Sequence, residues 1–227
     1  MPKLTYYGHS TCSIETDDGV HLVIDPFFDD NPACDVSAGD VQADFILLSH
    51  GHYDHIADAV PIAKRTGATV ICSYEIGEFM GTKDVQASPH HIGGGVRYPF
   101  GHVKLTPALH GGMVELPGGE PYTTVPAGLL VDFESGQTLY HAGDTSLLTD
   151  MQLLKGQVDV AMLPIGDRFT MGPADAVRAI DFIEPEVVVP IHYNTWPPIE
   201  QDADAFKATV GNRARVEIMK CGDTFDF

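Results

Sequence analysis

The sequence predicts an α/β fold in a single domain that covers residues 1–227. Short apolar runs typical of strands alternate with segments of helical pattern in both halves of the chain. Hairpins are predicted at the start of the first half and in the middle of the second half. Neither a linker nor a low-complexity segment interrupts this alternation, so we expect one domain.

The first half of the chain is predicted to contain short strands, one long loop and two helices. Asp17-Asp18-Gly19 is a turn signal between two strands, and Asp25-Pro26 ends the next strand. Asp58 is placed to cap a helix in which Pro61 falls in the first turn. The predicted strands cover residues 4–7, 13–16, 21–24, 45–49, 68–72, 96–100 and 103–109. The predicted helices cover residues 58–66 and 75–80.

The second half begins with residues 111–126, which contain several Gly and Pro and predict a mobile lid beside a site. Glu134-Ser135-Gly136 is the turn of a hairpin, and Gly172-Pro173 opens a helix. The predicted strands cover residues 127–133, 138–140, 158–163, 187–191 and 215–219. The predicted helices start near residues 146, 172 and 202.

The composition restricts the partners and the location of the protein. The formal net charge is −19 and the chain has no Lys/Arg cluster, so we expect no binding to nucleic acid. The N-terminal residues lack the pattern of a signal peptide, and every apolar run is shorter than a bilayer span, so we expect a cytoplasmic protein without a membrane partner. We therefore also expect reduced thiols at the four scattered cysteines. These are Cys12, Cys34, Cys72 and Cys221.

The strongest functional signal is His50-Gly51-His52-Tyr53-Asp54-His55, which follows the apolar run 45–49. Three imidazoles and a carboxylate within six residues suit zinc, manganese or iron. In an extended loop His50 and His52 point the same way, while Asp54 and His55 lie past a bend and can face a second ion. Three later apolar strands also end in a metal-binding residue type, and such strand ends meet at one edge of an α/β fold. These residues are His110, Asp144 and His192.

The motif resembles the His-x-His-x-Asp-His signature of the metallo-β-lactamase superfamily, and further matches follow in family order. They are Gly8-His9-Ser10, Ile24-Asp25-Pro26, His141-Ala142-Gly143-Asp144-Thr145 and Pro190-Ile191-His192-Tyr193-Asn194. Two further groups of residues resemble a branch of small metal-dependent hydrolases that is related to the ascorbate-phosphate lactonases. They are Leu163-Pro164-Ile165-Gly166 with residues 169–173, and Ile191–Thr195 with Pro197-Pro198. The resemblance implies a four-layer αβ/βα sandwich of two stacked mixed β-sheets flanked by helices.

The resemblance also implies a ligand set for two divalent metal ions. His50, His52 and His110 would hold one ion, and Asp54, His55 and His192 would hold the other. Asp144 would bridge the two ions, because a carboxylate has two oxygens. A hydroxide that bridges the ions would then attack a small ester, lactone or phosphodiester, with Asp54, Asp144 and His192 as catalytic residues.

Four further residues are expected near this centre. The resemblance places Asp25 where its carboxylate accepts the N–H of a ligating histidine. His9 and His141 are candidates to support a ligand or contact the substrate, and either one can equally be a hydrogen-bonded histidine at a strand end. Arg168 lies in a Gly-rich loop and is expected either to contact an anionic substrate group or to form a surface ion pair.

Metal identity and overall function leave alternatives open. Zinc is the first expectation, and the same donors also accept manganese, nickel or iron. A nuclease of the same superfamily and a di-iron redox protein are the alternative functions. The charge balance speaks against the nuclease, and His52, where di-iron relatives carry Glu, speaks against the redox protein. The expected partner is a small-molecule substrate, and a homo-oligomer is a weak expectation.

Overall fold

A computed structural model describes residues 1–114 and 122–227 of the chain. Within them, two mixed β-sheets stack face to face, and helices cover the outer face of each sheet. The order of layers is therefore helix, sheet, sheet, helix, which confirms the predicted four-layer sandwich.

Seven of the described strands form the first sheet, in the order β16-β1-β2-β3-β4-β5-β6. They are β1 (Lys3–Tyr6), β2 (Cys12–Glu15), β3 (His21–Ile24), β4 (Phe45–Leu47), β5 (Thr69–Ser73), β6 (Ala87–His90) and β16 (Thr224–Asp226). Strands β16, β1, β2 and β3 pair antiparallel, whereas β3, β4, β5 and β6 pair parallel.

The second sheet repeats this plan with seven described strands, in the order β15-β14-β13-β12-β11-β8-β7. They are β7 (Gly95–Tyr98), β8 (Gly101–Pro107), β11 (Ala127–Phe133), β12 (Thr138–His141), β13 (Val160–Pro164), β14 (Val187–Ile191) and β15 (Arg215–Val216). Strands β7, β8, β11 and β12 are antiparallel, and β12 to β15 are parallel.

The helices are short and lie against the outer faces of the sheets. They are α1 (Tyr53–Ile56), α2 (Ala59–Thr66), α3 (Tyr74–Gly81), α4 (Pro173–Ile183) and α5 (Ala203–Val210). Among residues 1–114 and 122–227, none of the helices combines the length and apolar character needed to cross a membrane.

Three apolar clusters hold the layers together. One lies between the sheets and joins residues of both, such as Leu4 and Ile24 with Leu129 and Val189. The second lies between the first sheet and helices α2 and α3, and the third between the second sheet and helices α4 and α5. Burial of apolar surface on both faces explains why β13 and β14 consist of continuous apolar residues.

Two predicted elements differ from the structure, and two strands of the first sheet were not predicted. The helix expected from about Ser146 is a 3₁₀-helix over Thr149–Leu154, because the Ser146 N–H donates to the Leu109 carbonyl and keeps the preceding segment extended. The last predicted strand, 215–219, is reduced to β15, and the sequence pattern missed β6 and β16. These two strands are short, and β6 contains Pro89, which has no strand signal.

The expectation of four reduced thiols was wrong, because Cys34 and Cys221 form a disulfide with a Cα–Cα distance of 5.3 Å. Cys12 and Cys72 are free and buried. The pair is 187 residues apart in sequence, and spacing alone cannot reveal that the loop after β3 folds back onto the segment before β16.

The predicted mobile lid, 111–126, includes residues 115–121, which lie outside the described residues. On either side of them, β9 (Met113–Val114) and β10 (Tyr122–Thr123) pair antiparallel as a small two-stranded sheet. Val114 packs in the cluster of the first sheet, so this segment lies close to the histidine motif.

Candidate metal centre

The histidine motif follows β4, which is buried and fixes the direction of the chain. His50 and Gly51 lead into His52, whose backbone is extended, and α1 begins immediately after it. Gly51 is required here, because a Cβ at this position would lie 2.6 Å from Val114 Cγ2 and 2.9 Å from the Gly112 carbonyl oxygen. The start of α1 turns the chain and separates the first two histidines of the motif from Asp54 and His55.

Three histidines meet on one side of the site and are called here the His50 cluster (His50, His52 and His110). One ring nitrogen of each lies within 4.8 Å of the others. His50 Nε2 and His52 Nδ1 are 3.0 Å apart. His110, which follows β8, completes the group and its side chain is 14% exposed.

A second group lies beside the first and is called here the His55 cluster (Asp54, His55 and His192). Asp54 Oδ2 is 3.6 Å from His192 Nε2 and 3.9 Å from His55 Nε2. His55 and His192 are buried, whereas the Asp54 side chain is 23% exposed. The position of His192 at the end of β14 brings the second sheet into contact with the motif of the first sheet.

Asp144 lies between the two clusters. Its Oδ2 is 3.0 Å from His192 Nε2 and 3.3 Å from His110 Nε2, and its Oδ1 is 3.3 Å from His55 Nε2. Leu109 N–H donates to Thr145 Oγ1, so the loop that carries Asp144 is joined to the loop that carries His110. One carboxylate therefore faces both clusters, and its assignment as a bridging ligand stays a prediction.

Asp25 is fully buried and supports both clusters from behind. Its Oδ2 accepts a hydrogen bond from His55 Nδ1 at 2.8 Å and from Ser49 Oγ at 2.5 Å, and its Oδ1 accepts from the Ser49 N–H. Ser49 Oγ is 3.0 Å from His50 Nδ1. Because a carboxylate only accepts, His55 carries its proton on Nδ1. The Ser49 hydroxyl gives its proton to Asp25, so it accepts from His50 Nδ1, and the Nε2 atoms of both rings are turned toward the centre of the site.

The two clusters have opposite electrostatics. Burial and the neighbouring His55 hold the pKa of His50 well below its usual value, and burial likewise lowers the pKa of His110. Burial also acts to lower the pKa values of His55 and His192, but the negative charge of Asp144 has the larger effect and raises them. Asp25 raises the pKa of His55 further. The pKa of His55 is raised well above its usual value, and that of His192 is raised to about 9. Burial also acts to raise the pKa values of Asp54 and Asp144, but the same histidines hold both well below the usual range.

His9 lies next to the His55 cluster and is buried. Its Nε2 is 2.9 Å from Asp54 Oδ2, and its Nδ1 is 2.8 Å from Thr195 Oγ1. Burial, followed by the neighbouring His192, lowers the pKa of His9 to about 4. His9, Asp25 and His192 all have left-handed backbone, with φ of 55°, 46° and 54°. Such conformations cost about 1–3 kcal/mol each and gather where a site holds them in place.

Of the four further residues expected near the centre, His141 and Arg168 do not contact either cluster. His141 is buried, with Nε2 donating to the Ser10 carbonyl at 2.9 Å and Nδ1 accepting from the Gly143 N–H. Both of its nitrogens are therefore used within the protein, and it links β12 to the loop after β1. Arg168 is exposed, and its guanidinium lies over the Phe169 ring at 5.6 Å.

Sequence reasoning missed two hydroxyl groups that contact these histidines, Ser49 and Thr195. Ser49 directly precedes the motif at the end of a buried strand, where its position was visible although its partner was not. Thr195 ends the Ile191–Thr195 match, but its contact with His9 spans 186 residues of sequence. Only the fold brings these two residues together.

The chemistry of the described residues fits divalent metal ions. His55 Nε2 and Asp144 Oδ1 are buried and have no hydrogen-bond partner within residues 1–114 and 122–227, although they are 3.3 Å apart. Buried polar atoms without partners are rare and need an explanation. Imidazole nitrogens and carboxylate oxygens converge here on two small volumes, which is the donor set of zinc, manganese or iron.

Fold and site together define a metal-dependent hydrolase, and comparison with known proteins agrees. A metal-dependent hydrolase of Anoxybacillus flavithermus is 47% identical over 99% of both chains, and the YtkL metal-dependent hydrolase of Bacillus subtilis is 44% identical over 99% of both chains. Among solved structures, Igni18, a metallo hydrolase from the archaeon Ignicoccus hospitalis, has a TM-score of 0.88 at 38% identity and covers 100% of this chain and 99% of its own.

The family model described as "Beta-lactamase superfamily domain" matches residues 21–193. The chain therefore belongs to the β-lactamase superfamily, within which it is similar to the relatives named as UPF0173 metal-dependent hydrolases. This confirms the family predicted from the His50–His55 motif.

Proposed function

We propose that the protein is a binuclear metal-dependent hydrolase that cleaves a small ester, lactone or phosphodiester. The observation that carries this proposal is the position of Asp144 between the clusters. Its Oδ2 lies 3.3 Å from His110 Nε2 in one cluster and 3.0 Å from His192 Nε2 in the other, and its Oδ1 lies 3.3 Å from His55 Nε2. A carboxylate between two groups of imidazoles is the arrangement expected for two adjacent dications.

The His50 cluster and the His55 cluster would each hold one ion, with Asp144 shared between them. Two bound dications would lower the pKa of a water between them to near neutrality and polarise the carbonyl or phosphoryl oxygen of the substrate. Asp25 keeps the protons of His55 and His50 on the sides away from the ions. Asp54, the most exposed carboxylate of the site, is placed to take a proton from the nucleophile.

Arg168 is proposed to contact an anionic group of the substrate. The loop that carries it begins beside His192, since Ile165 N–H donates to the Ile191 carbonyl, and ends beside Asp144, since Met171 N–H donates to the Thr145 carbonyl. Arg168 has no carboxylate or carbonyl partner for its guanidinium among the described residues, although the chain carries a net charge of −19. The other arginines all have such partners. These are Arg65, Arg97, Arg178, Arg213 and Arg215.

The role of Arg168 is tested by comparing charged and neutral substrates. Arg168→Gln is expected to raise KM for an anionic substrate about tenfold or more, because a hydrogen bond to a charged group contributes about 1.5–3 kcal/mol. The KM for a neutral ester should stay unchanged. Arg178→Gln, on the exposed face of α4, is the matched control. Equal changes for charged and neutral substrates would contradict this role.

The hydrolase itself is tested by turnover of protein reconstituted with Zn²⁺ or Mn²⁺ on three substrates: a phosphodiester, a phosphorylated lactone and a simple ester. Metal-dependent turnover of one class is expected from the wild type and from Asp175→Ala, an exposed carboxylate on α4. Asp144→Ala should be inactive on every substrate. Full metal-dependent turnover by Asp144→Ala would refute the proposal, and metal analysis of both proteins reports how many ions each binds.

A further inference from the structure

Both nitrogens of the His9 ring are engaged by side chains from distant parts of the chain. Nε2 is 2.9 Å from Asp54 Oδ2, and Nδ1 is 2.8 Å from Thr195 Oγ1. His9 Nε2 also lies within 4.8 Å of ligand atoms of His55 and His192, so proximity alone would permit His9 to be a metal ligand. The hydrogen bonds give it a different role.

The direction of these hydrogen bonds follows from the chemistry of the partners. An ionised carboxylate only accepts, so His9 Nε2 carries a proton and donates it to Asp54. The His9 ring is packed against the rings of Phe27, His192 and Trp196, at centroid distances of 5.8, 4.0 and 4.9 Å. An apolar and partly basic environment of this kind favours the neutral ring, so Nδ1 accepts the proton of the Thr195 hydroxyl.

We propose that Thr195 and His9 form a positioning relay that fixes the orientation of the Asp54 carboxylate in the His55 cluster. This inference rests on the proposed function, because Asp54 is oriented for an ion only if the cluster holds one. Histidines that ligate metals are commonly oriented by a carboxylate. In this relay the order is reversed, since a histidine orients the carboxylate and a hydroxyl fixes the histidine.

The backbone around His9 is held as firmly as its ring. The His9 carbonyl accepts hydrogen bonds from Tyr6 Oη at 2.8 Å and from the His192 N–H at 2.8 Å. These contacts stabilise the left-handed conformation of His9, which the residue would not adopt without compensation.

The loop after β14 supplies most of this support. It carries His192, whose N–H contacts the His9 carbonyl, as well as Thr195 and Trp196, which contact the ring. Asn194 fixes the loop, because its side chain bonds Gln201 in both directions and its N–H donates to the Ile199 carbonyl. The loop that brings His192 to the His55 cluster therefore also positions Asp54, which comes from the other sheet.

The experiment removes the hydroxyl and keeps the volume, using Zn²⁺ alone as the probe. Thr195→Val is expected to weaken the binding of one of two zinc ions about 10–100-fold in a chelator competition, with the other ion unaffected. Thr195→Ser keeps the hydroxyl and should bind both ions as the wild type does. Thr209→Val is the matched control, because Thr209 Oγ1 donates only to the Ala205 carbonyl on exposed α5. Wild-type affinity for both ions in Thr195→Val would overturn the relay.

A second measurement needs neither activity nor a bound metal. Nitrogen NMR of the metal-free wild type should show His9 as a neutral ring protonated on Nε2, and in Thr195→Val the Nδ1 resonance should shift because this nitrogen no longer accepts a hydrogen bond from a hydroxyl. A ring protonated on Nδ1 alone would overturn the relay, as would a His9 nitrogen that binds zinc directly. If the wild type binds no pair of ions, the proposed function fails, whereas the relay is still decided by the tautomer of His9.

Discussion

The two clusters of the metal centre differ in charge although both are built mainly from histidine. In the His50 cluster, burial and neighbouring imidazoles lower the pKa values of His50 and His110, so the rings are neutral. In the His55 cluster, carboxylates raise the pKa values of His55 and His192, so in the metal-free protein both rings carry protons at neutral pH. A metal ion would bind the His50 cluster without displacing protons from His50 or His110. An ion at the His55 cluster would have to displace the protons of His55 and His192.

Desolvation therefore keeps the His50 and His110 rings neutral, whereas neighbouring carboxylates keep the His55 and His192 rings protonated. Asp144 connects the two clusters, because its contacts with His55 and His192 stabilise protons that an ion would have to replace. Changes to residues that serve both clusters should therefore remove two ions, and changes to residues that serve one should remove one.

The largest effect is expected for Asp25→Asn, because Asp25 supports His55 directly and His50 through Ser49. The affinity of each cluster should fall about 10–100-fold. The free energy of unfolding of the metal-free protein should fall by about 3–5 kcal/mol, because a buried charged partner is lost. Chelator competition and urea unfolding measure the two effects, with Asp181→Asn as an exposed control. A loss of metal affinity at only one cluster would contradict the role of Asp25 in supporting both.

Gly166→Ala should disturb the His55 cluster alone. A Cβ at this position would lie 2.4 Å from the His192 carbonyl oxygen and 3.3 Å from Ile199 Cβ, so the end of β14 must move. We expect metal content to fall from two ions to one, with a destabilisation of about 1–3 kcal/mol. Gly81→Ala is the control, since a Cβ there meets nothing within 4 Å. If the variant retained both ions, the end of β14 would be able to move without displacing His192 from the His55 cluster.

The pH dependence of metal content separates the clusters without a mutation. Below the raised pKa of about 9, His192 is protonated in the metal-free state, so each pH unit of acidification costs about 1.4 kcal/mol of metal affinity per displaced proton. His50 and His110 carry no such cost, because their pKa values are lowered. Dialysis at decreasing pH should therefore remove one ion before the other. Loss of both ions at the same pH would contradict the proposed difference in proton competition between the two clusters.

The smallest effect is expected for Ser49→Ala, which removes the hydroxyl between His50 Nδ1 and Asp25 but keeps the Ser49 N–H that donates to Asp25. Affinity at the His50 cluster should fall about tenfold, and the His55 cluster should be unaffected. Ser13→Ala, on β2, is the control for loss of a serine hydroxyl. Equal weakening of both clusters would show that Ser49 acts through Asp25 on the whole centre.

The sequence predicted the fold and the grouping of the ligands well, because both depend on local patterns. The His50–His55 motif follows one buried strand, and His110, Asp144 and His192 each follow another, so the edge at which they meet was predictable. The assignment of these residues as ligands, and of Asp54 as a proton acceptor, stays a prediction.

Contacts between residues far apart in sequence were not predictable. The His9–Thr195 bond joins two loops that follow strands of different sheets. The sequence left open whether His141 supports the site or is a hydrogen-bonded histidine at a strand end, and its contacts with Ser10 and Gly143 are those of the second alternative. Strand β16 was missed for a related reason, since its three residues are a strand only because β1 lies beside them.

The bond between Cys34 and Cys221 closes a covalent ring across 187 residues of sequence. Every predicted ligand lies inside this ring, whereas His9 and Asp25 lie on the N-terminal arm outside it. A protease that cuts one peptide bond between the two cysteines therefore leaves a single molecule, in which both sheets stay tethered. The two fragments would then separate only after a thiol reductant breaks the disulfide. A denaturing gel run without reductant would therefore not show two separate fragments.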